Sequence, residues 1–97
     1  MYRIIDDRST GKTGRLMLLA KEANGTIVCS NPLAMREKAR AYGITGIDFI
    51  GYHDFVNGEG KVINNYFIDE LEDFMTYALQ SAFDIHGAFS GYTISQE

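Results

Sequence analysis

A glycine–lysine–threonine triplet near the N-terminus has the clearest chemistry in this sequence. Gly11, Lys12 and Thr13 follow a short apolar run and open a segment with helical periodicity. Backbone N–H groups at the start of a helix face an anion. The Lys12 ammonium can reach the outer phosphates of a nucleotide, and the Thr13 hydroxyl can ligate Mg²⁺. The triplet therefore predicts a phosphate site with a metal ligand beside it. The predicted nucleotide-binding residues are Ser9, Thr10, Gly11, Lys12, Thr13 and Gly14.

A pair of acidic residues, Asp69 and Glu70, follows the apolar run 66–68. An aspartate at the end of a buried strand can hold Mg²⁺ through water, and a following glutamate can orient an attacking water. Acidic residues before a helix are also favoured by the helix dipole, which is the simpler alternative. Because the triplet lies upstream in the same chain, we expect Asp69 to be a metal ligand and Glu70 a catalytic residue.

The elements around these residues alternate between strand and helix, which is typical of an α/β fold with a mostly parallel sheet. Three segments are predicted to be helical. In the first and the last, apolar residues repeat at helical spacing, and in the second, Asn-Pro marks the start and glycine the end. The predicted helices cover 12–23, 32–42 and the segment from Leu71 to Ala82, and the predicted strands cover 2–5, 26–29, 47–52, 65–69 and 92–94. We expect Gly25 to supply the left-handed residue that ends the first helix. The sheet would then have about five strands.

Composition limits the function further. Ninety-seven residues predict one domain, 1–97, and a formal net charge of −4 disfavours direct binding of nucleic acid. The apolar runs are too short to span a membrane, and the N-terminus lacks the apolar core of a secretory signal. A single cysteine, Cys29, fits a reducing compartment. We expect a cytoplasmic protein.

The order of these motifs resembles the P-loop NTPases, especially the N-terminal core of helicase-like and small phage ATPase proteins. Residues 9–13 look like motif I, residues 27–32 resemble the strand and turn that follow it, residues 67–70 look like motif II, and residues 91–95 lie where a third motif would come. The resemblance implies a minimal three-layer α-β-α domain, with the last strand between the first strand and the Asp-Glu strand. It also implies Mg²⁺ and ATP as ligands, and the host cytoplasm if a phage encodes the chain.

The first motif departs from the family pattern. Asp6 replaces its first glycine, Asp7 adds a second carboxylate, and Gly14 weakens the first helical turn by roughly 1 kcal/mol relative to alanine. A carboxylate about 5 Å from a phosphate oxygen is repelled by about 1–3 kcal/mol in a solvated site. Aspartate tolerates the left-handed backbone that such a loop often uses, so the loop can keep its shape while losing affinity.

Three functions remain open from the sequence. The first is a small phage-type P-loop protein that binds a nucleoside triphosphate weakly and hydrolyses it slowly or not at all alone; whether it is an ATPase is undecided. The second is a non-catalytic interaction module, a truncated helicase-like domain that binds or inhibits a host or phage nucleic-acid enzyme. The third is a subunit that hydrolyses ATP only in a homo-oligomer, with Arg36 or Arg40 acting across the interface.

Overall fold

The computed structural model describes residues 2–5, 11–58, 64–87 and 90–95. Helices and parallel strands alternate along these ranges, as the sequence predicts for an α/β fold. In chain order the elements are α1 (Lys12–Glu22), β1 (Thr26–Cys29), α2 (Pro32–Ala41), β2 (Asp48–Gly51), α3 (Tyr52–Val56), β3 (Tyr66–Ile68) and α4 (Leu71–Tyr77), which continues into a π-helical segment (Ala78–Ala82). No helix in these ranges is long and apolar enough to cross a bilayer.

The sheet has the order β2-β1-β3, and both neighbours of β1 run parallel to it. Thr26 to Cys29 are all buried, because the central strand is covered on both faces and paired on both edges. This explains why three consecutive residues of β1, Ile27 to Cys29, are apolar rather than alternating with polar ones. In the register, Val28 lies opposite Ile50 of β2 and Ile68 of β3.

Two apolar clusters cover the two faces of the sheet. Alternate residues of β1 point to opposite faces, so Ile27 and Cys29 join one cluster and Val28 joins the other. The first cluster contains α1 and α2, through the buried residues Met17, Ala20, Met35 and Ala39. The second contains α3 and α4, through Tyr52 and Phe74. The layers are therefore helix, sheet and helix.

The prediction of about five strands is wrong for the described residues, which contain a three-stranded sheet. Residues 2–5 and 91–95 have no regular secondary structure. Both segments are predominantly exposed, with Tyr2 and Tyr92 at 70% and 51% exposure. An apolar triplet forms a strand only when a neighbouring strand satisfies its backbone, and here β3 lacks such a neighbour on its outer edge within the described ranges. The strand expected between the first strand and the Asp-Glu strand is absent there.

The end of α1 differs from the prediction in one detail. The left-handed residue is Asn24, with φ of 51°, rather than Gly25. Gly25 is buried, and a Cβ placed on it would lie 2.7 Å from the Asn65 carbonyl oxygen and 2.7 Å from the Phe67 ring. Glycine is needed at this position because the α1–β1 connection passes directly against the start of β3.

Candidate functional site

Two predicted metal ligands meet at the carboxyl edge of the sheet. The Thr13 hydroxyl in the first turn of α1 donates a hydrogen bond of 3.2 Å to Asp69 Oδ1, directly after β3. These residues are 56 positions apart in the chain. Ligands of open α/β sheets bind outside the carboxyl ends of the strands. The fold therefore brings the triplet and the acidic pair together at the edge where such proteins carry their sites.

The start of α1 has a glycine N-cap. Gly11 has a φ of 79°, which lies in the left-handed region that favours glycine. The Arg15 N–H donates to the Gly11 carbonyl at 3.1 Å, which closes the first turn. Gly11 itself provides no side-chain cap, and the first turn contains no acidic residue. Negative charge from a ligand would therefore be stabilised here by the helix dipole.

The Tyr42 ring, at the end of α2, lies 3.5 Å from where a Cβ of Gly14 would be. This is an ordinary contact distance, so an alanine would fit here and packing does not require the glycine.

Backbone contacts from two strands fix the position of Asp69. Its N–H donates to the Val28 carbonyl at 2.9 Å, which extends the β1–β3 ladder by one residue. Its own carbonyl accepts the Tyr52 hydroxyl at 2.7 Å. Tyr52 is 7% exposed and lies directly after β2, so the carboxyl ends of all three strands are linked through Asp69.

The Asp69 carboxyl has a raised pKa, chiefly because burial penalises its charged form. The Thr13 hydrogen bond opposes this shift, the Glu70 charge adds to it, and the charges of Lys38 and Lys12 oppose it. A partly desolvated carboxylate with two lysines in electrostatic range gains from a nearby cation, because the cation replaces part of the lost solvation.

Glu70 has an unusual backbone. Its φ of 59° and ψ of 72° are left-handed, a region that non-glycine residues rarely occupy, and it is the N-cap of α4. The Phe74 N–H donates to the Glu70 carbonyl at 3.0 Å, and the Tyr52 hydroxyl lies 3.3 Å from the same oxygen. Its side chain is exposed, whereas Asp69 is half-buried. Strained residues of this kind occur mainly where the surrounding structure holds them, often at functional sites.

The residues at this edge fit Mg²⁺ in donor chemistry. Thr13 and Asp69 offer a hydroxyl and a carboxylate oxygen, the hard donors that Mg²⁺ prefers, and Mg²⁺ usually takes one or two protein ligands together with phosphates and water. Within the described ranges, no three His, Cys, Asp or Glu side chains form a cluster that could hold a metal by themselves. Two protein oxygen donors alone would leave most coordination positions of Mg²⁺ to other ligands.

Other predicted residues are placed elsewhere or not described. Ser9 and Thr10, with Asp6, Asp7 and Arg8, lie outside the described residues. The Arg40 guanidinium pairs with Glu37 at 2.9 Å on the exposed face of α2, and the Arg36 guanidinium lies 6.0 Å from the centre of the Phe49 ring. The structure does not bring either arginine to Thr13 and Asp69 through these contacts.

Sequence reasoning missed Tyr52 and Lys38. Tyr52 was assigned to the end of a strand, although a hydroxyl at the carboxyl end of a parallel strand is well placed to reach a neighbouring strand end. From the sequence, Lys38 is expected to lie on a solvated helix face or to act on a neighbouring subunit, whereas in the structure its charge acts on Asp69. Only the crossing of α2 over the sheet reveals this, because 31 positions (69 − 38) separate the two residues.

No family model, curated protein or solved structure matches this chain. The geometry of the site therefore carries the functional argument by itself.

Proposed function

We propose that this protein binds a nucleoside triphosphate, ATP, together with Mg²⁺ at the carboxyl edge of its sheet, with low affinity and with slow or no hydrolysis by the chain alone. The observation that carries the proposal is the hydrogen bond between Thr13 and Asp69. Two oxygen donors predicted from separate motifs to share one metal lie within 3.2 Å of each other, although 56 positions separate them.

The start of α1 supports a phosphate ligand beside that metal. Gly11 provides a left-handed N-cap without a side chain over the helix end, and the first turn has no acidic residue. The Lys12 charge acts on Asp69, so the ammonium lies in electrostatic range of the metal position. A lysine point charge and oriented N–H groups together are the usual means by which a protein binds terminal phosphates.

Each residue has a role in this proposal. Thr13 and Asp69 would hold Mg²⁺, whose chemistry is to neutralise charge on the phosphate oxygens. Lys12 would bind the outer phosphates, and the backbone after Gly11 would face them. Glu70, exposed next to Asp69, would orient water. The sequence supports low affinity, because Asp6 and Asp7 add two carboxylates to the segment before Gly11. A carboxylate about 5 Å from a phosphate oxygen would repel it by about 1–3 kcal/mol.

Thermal unfolding with and without millimolar MgATP tests the proposal. Ligand at about 100 times its Kd adds about 2.7 kcal/mol of stability, which is several degrees for a domain of this size. We expect this shift in the wild type and its loss in Lys12→Ala and Thr13→Val. Lys21→Ala is the matched control, because Lys21 is an exposed lysine in the last turn of the same helix. An equal shift in Lys12→Ala, or none in the wild type, would refute the proposal.

Exposed apolar side chains support the second candidate, a non-catalytic interaction module. Leu71 is 50% exposed, and the segment after the π-helical turn exposes Phe83 (66%), Ile85 (48%), Tyr92 (51%) and Ile94 (44%). Large apolar residues clustered along one part of a chain are typical of protein-binding surfaces. A wild type that binds no MgATP but is retained by a partner protein through Phe83 and Tyr92 would favour this candidate.

A further inference from the structure

Tyr52 is the one side chain of the described residues that hydrogen-bonds to the backbone of both members of the acidic pair. Its hydroxyl donates to the Asp69 carbonyl at 2.7 Å and lies 3.3 Å from the Glu70 carbonyl. The side chain is 7% exposed. A buried hydroxyl with two carbonyl acceptors makes its contacts in a medium where an unmade hydrogen bond is costly.

The aromatic ring of Tyr52 is fixed independently of its hydroxyl. The ring packs edge-on against Phe74, with centroids 5.3 Å apart, and lies 6.0 Å from the Tyr77 ring. Both partners belong to α4, the helix that begins directly after Glu70. Because these contacts fix the ring, they also fix the position of its hydroxyl. The hydroxyl can then hold the turn before α4 through its hydrogen bonds.

The turn itself needs such a fixed point. Glu70 is left-handed, which costs a non-glycine residue about 1–2 kcal/mol. It is followed by a helix whose N-cap makes no side-chain hydrogen bond. On the other side, the β1 backbone holds the Asp69 N–H and the Thr13 hydroxyl holds its carboxylate. The carbonyl oxygens of Asp69 and Glu70 lie 2.7 and 3.3 Å from the Tyr52 hydroxyl.

We propose that Tyr52 is the positioning residue of this site, and that its hydroxyl holds the Asp69–Glu70 turn so that the Asp69 carboxylate meets Thr13 and the Glu70 side chain leaves the strained backbone beside it. The link to MgATP rests on the proposed function, whereas the effect on the turn does not.

Tyr52→Phe removes only the hydroxyl and keeps the ring against Phe74. Tyr77→Phe is the matched control, since it removes one phenolic oxygen from the neighbouring ring of the same cluster. Both variants preserve the apolar packing, so both are expected to fold.

The first measurement is amide hydrogen exchange without nucleotide. The reporters are the Asp69 N–H, bonded to Val28, and the Phe74 N–H, bonded to Glu70. Loss of one buried hydrogen bond should speed their exchange by about tenfold in Tyr52→Phe relative to amides in the centre of β1. Tyr77→Phe should leave that ratio unchanged. Equal acceleration at the reporters and in β1 would mean a general loss of stability and would overturn the proposal, as would no change.

The second measurement is the MgATP affinity of the same variants by titration calorimetry. We expect Tyr52→Phe to bind about tenfold more weakly, with Tyr77→Phe unchanged. Wild-type affinity in Tyr52→Phe would overturn the role of Tyr52 in the site. A wild type that does not bind MgATP would refute the proposed function, and hydrogen exchange would still decide whether Tyr52 holds the turn.

Discussion

At Glu70 the backbone is strained while the side chain is free to act. Its left-handed φ of 59° lowers the stability of the fold, and the residue is exposed next to Asp69. A residue chosen for stability alone at this position would be glycine, which adopts positive φ without a steric penalty. Glycine would lack the carboxylate that we propose to orient water.

The first prediction compares Glu70→Gly with Glu70→Ala. Both remove the carboxylate, so the difference between them reports the backbone. We expect the glycine variant to be more stable than the alanine variant by about 1 kcal/mol in urea unfolding, because only glycine relieves the left-handed strain.

A control pair at Lys21, which is helical and exposed, should show the opposite order, since glycine costs up to about 1 kcal/mol relative to alanine within a helix. Equal stabilities of the two Glu70 variants would show that the strain at this residue is negligible.

Cys29 gives the second prediction, which concerns pH. Burial first, and then the charge of Asp69, raise the pKa of this thiol from 9.0 to about 11. Between these values the unfolded chain loses the proton and the folded chain keeps it. Stability from Cys29 is therefore full below pH 9 and falls as the pH rises towards 11, by about 1.4 kcal/mol per pH unit.

The check is urea unfolding of wild type and Cys29→Ala from pH 7.5 to about pH 11. Other groups also titrate in this range, so the quantity of interest is the difference between the two proteins at each pH. That difference should shrink as the pH rises above 9. A constant difference would show that the thiol ionises alike in both states.

At the scale of elements, the sheet holds the site because β1 is paired on both edges and covered on both faces. The loop from α1 into β1 must pass the start of β3, where the Thr26 N–H donates to the Asn65 carbonyl at 2.9 Å. The Asn64 side chain donates to the Thr26 hydroxyl at 2.6 Å. These contacts set the register of β3, and the register in turn sets the position of Asp69.

The third prediction is that Gly25→Ala destabilises the fold, because it strains the contact between the α1–β1 loop and the start of β3. The added methyl would lie 2.7 Å from both the Asn65 carbonyl oxygen and the Phe67 ring, and the carbonyl cannot move without disturbing β3. Overpacking of this kind costs about 1–3 kcal/mol. Gly91→Ala is the control, since nothing lies within 4 Å of its new Cβ. Chemical unfolding gives the free energy of unfolding of both variants. An unchanged free energy in Gly25→Ala would contradict the prediction, because it would show that the loop and β3 can move apart at no cost.

At the scale of the whole molecule, the candidate site is assembled from α1, β3 and the β2–α3 junction at one edge of a three-stranded sheet. The Arg40 guanidinium is bonded to Glu37, and that of Arg36 lies over Phe49. Transfer of a phosphoryl group is slow when no arginine stabilises the charge that develops. Neither of these two contacts brings an arginine to Thr13 and Asp69, so an arginine of a second copy is one candidate source of that charge.

The fourth prediction is slow phosphate release from MgATP, measured over a range of protein concentrations. If the chain acts alone, the rate per molecule should be low and constant. If Arg40 acts across a homo-oligomer, the rate per molecule should rise with concentration, and Arg40→Ala should abolish the rise while Glu37→Ala preserves it. Fast release at the lowest concentration would contradict the proposed absence of an arginine contribution.

The sequence alone determined the features that depend on local physics. Asn31 and Pro32 predicted the start of α2, and the Ala34 N–H indeed donates to the Asn31 side chain at 3.1 Å. The start of α1 at Lys12 and the strand character of 26–29 followed from spacing and from the continuous apolar run. These predictions succeed because caps, turns and periodicity act between residues that are close in the chain.

The tertiary structure decided everything that depends on pairing between distant segments. Residues 2–5 and 92–94 have strand-like composition, but a strand exists only where a neighbour satisfies its backbone, and these two remain irregular. The order β2-β1-β3 places Asp69 beside Thr13 and carries the Tyr52 hydroxyl to its carbonyl. No local pattern encodes that order, because it arises from which faces and edges can be buried together in one sheet.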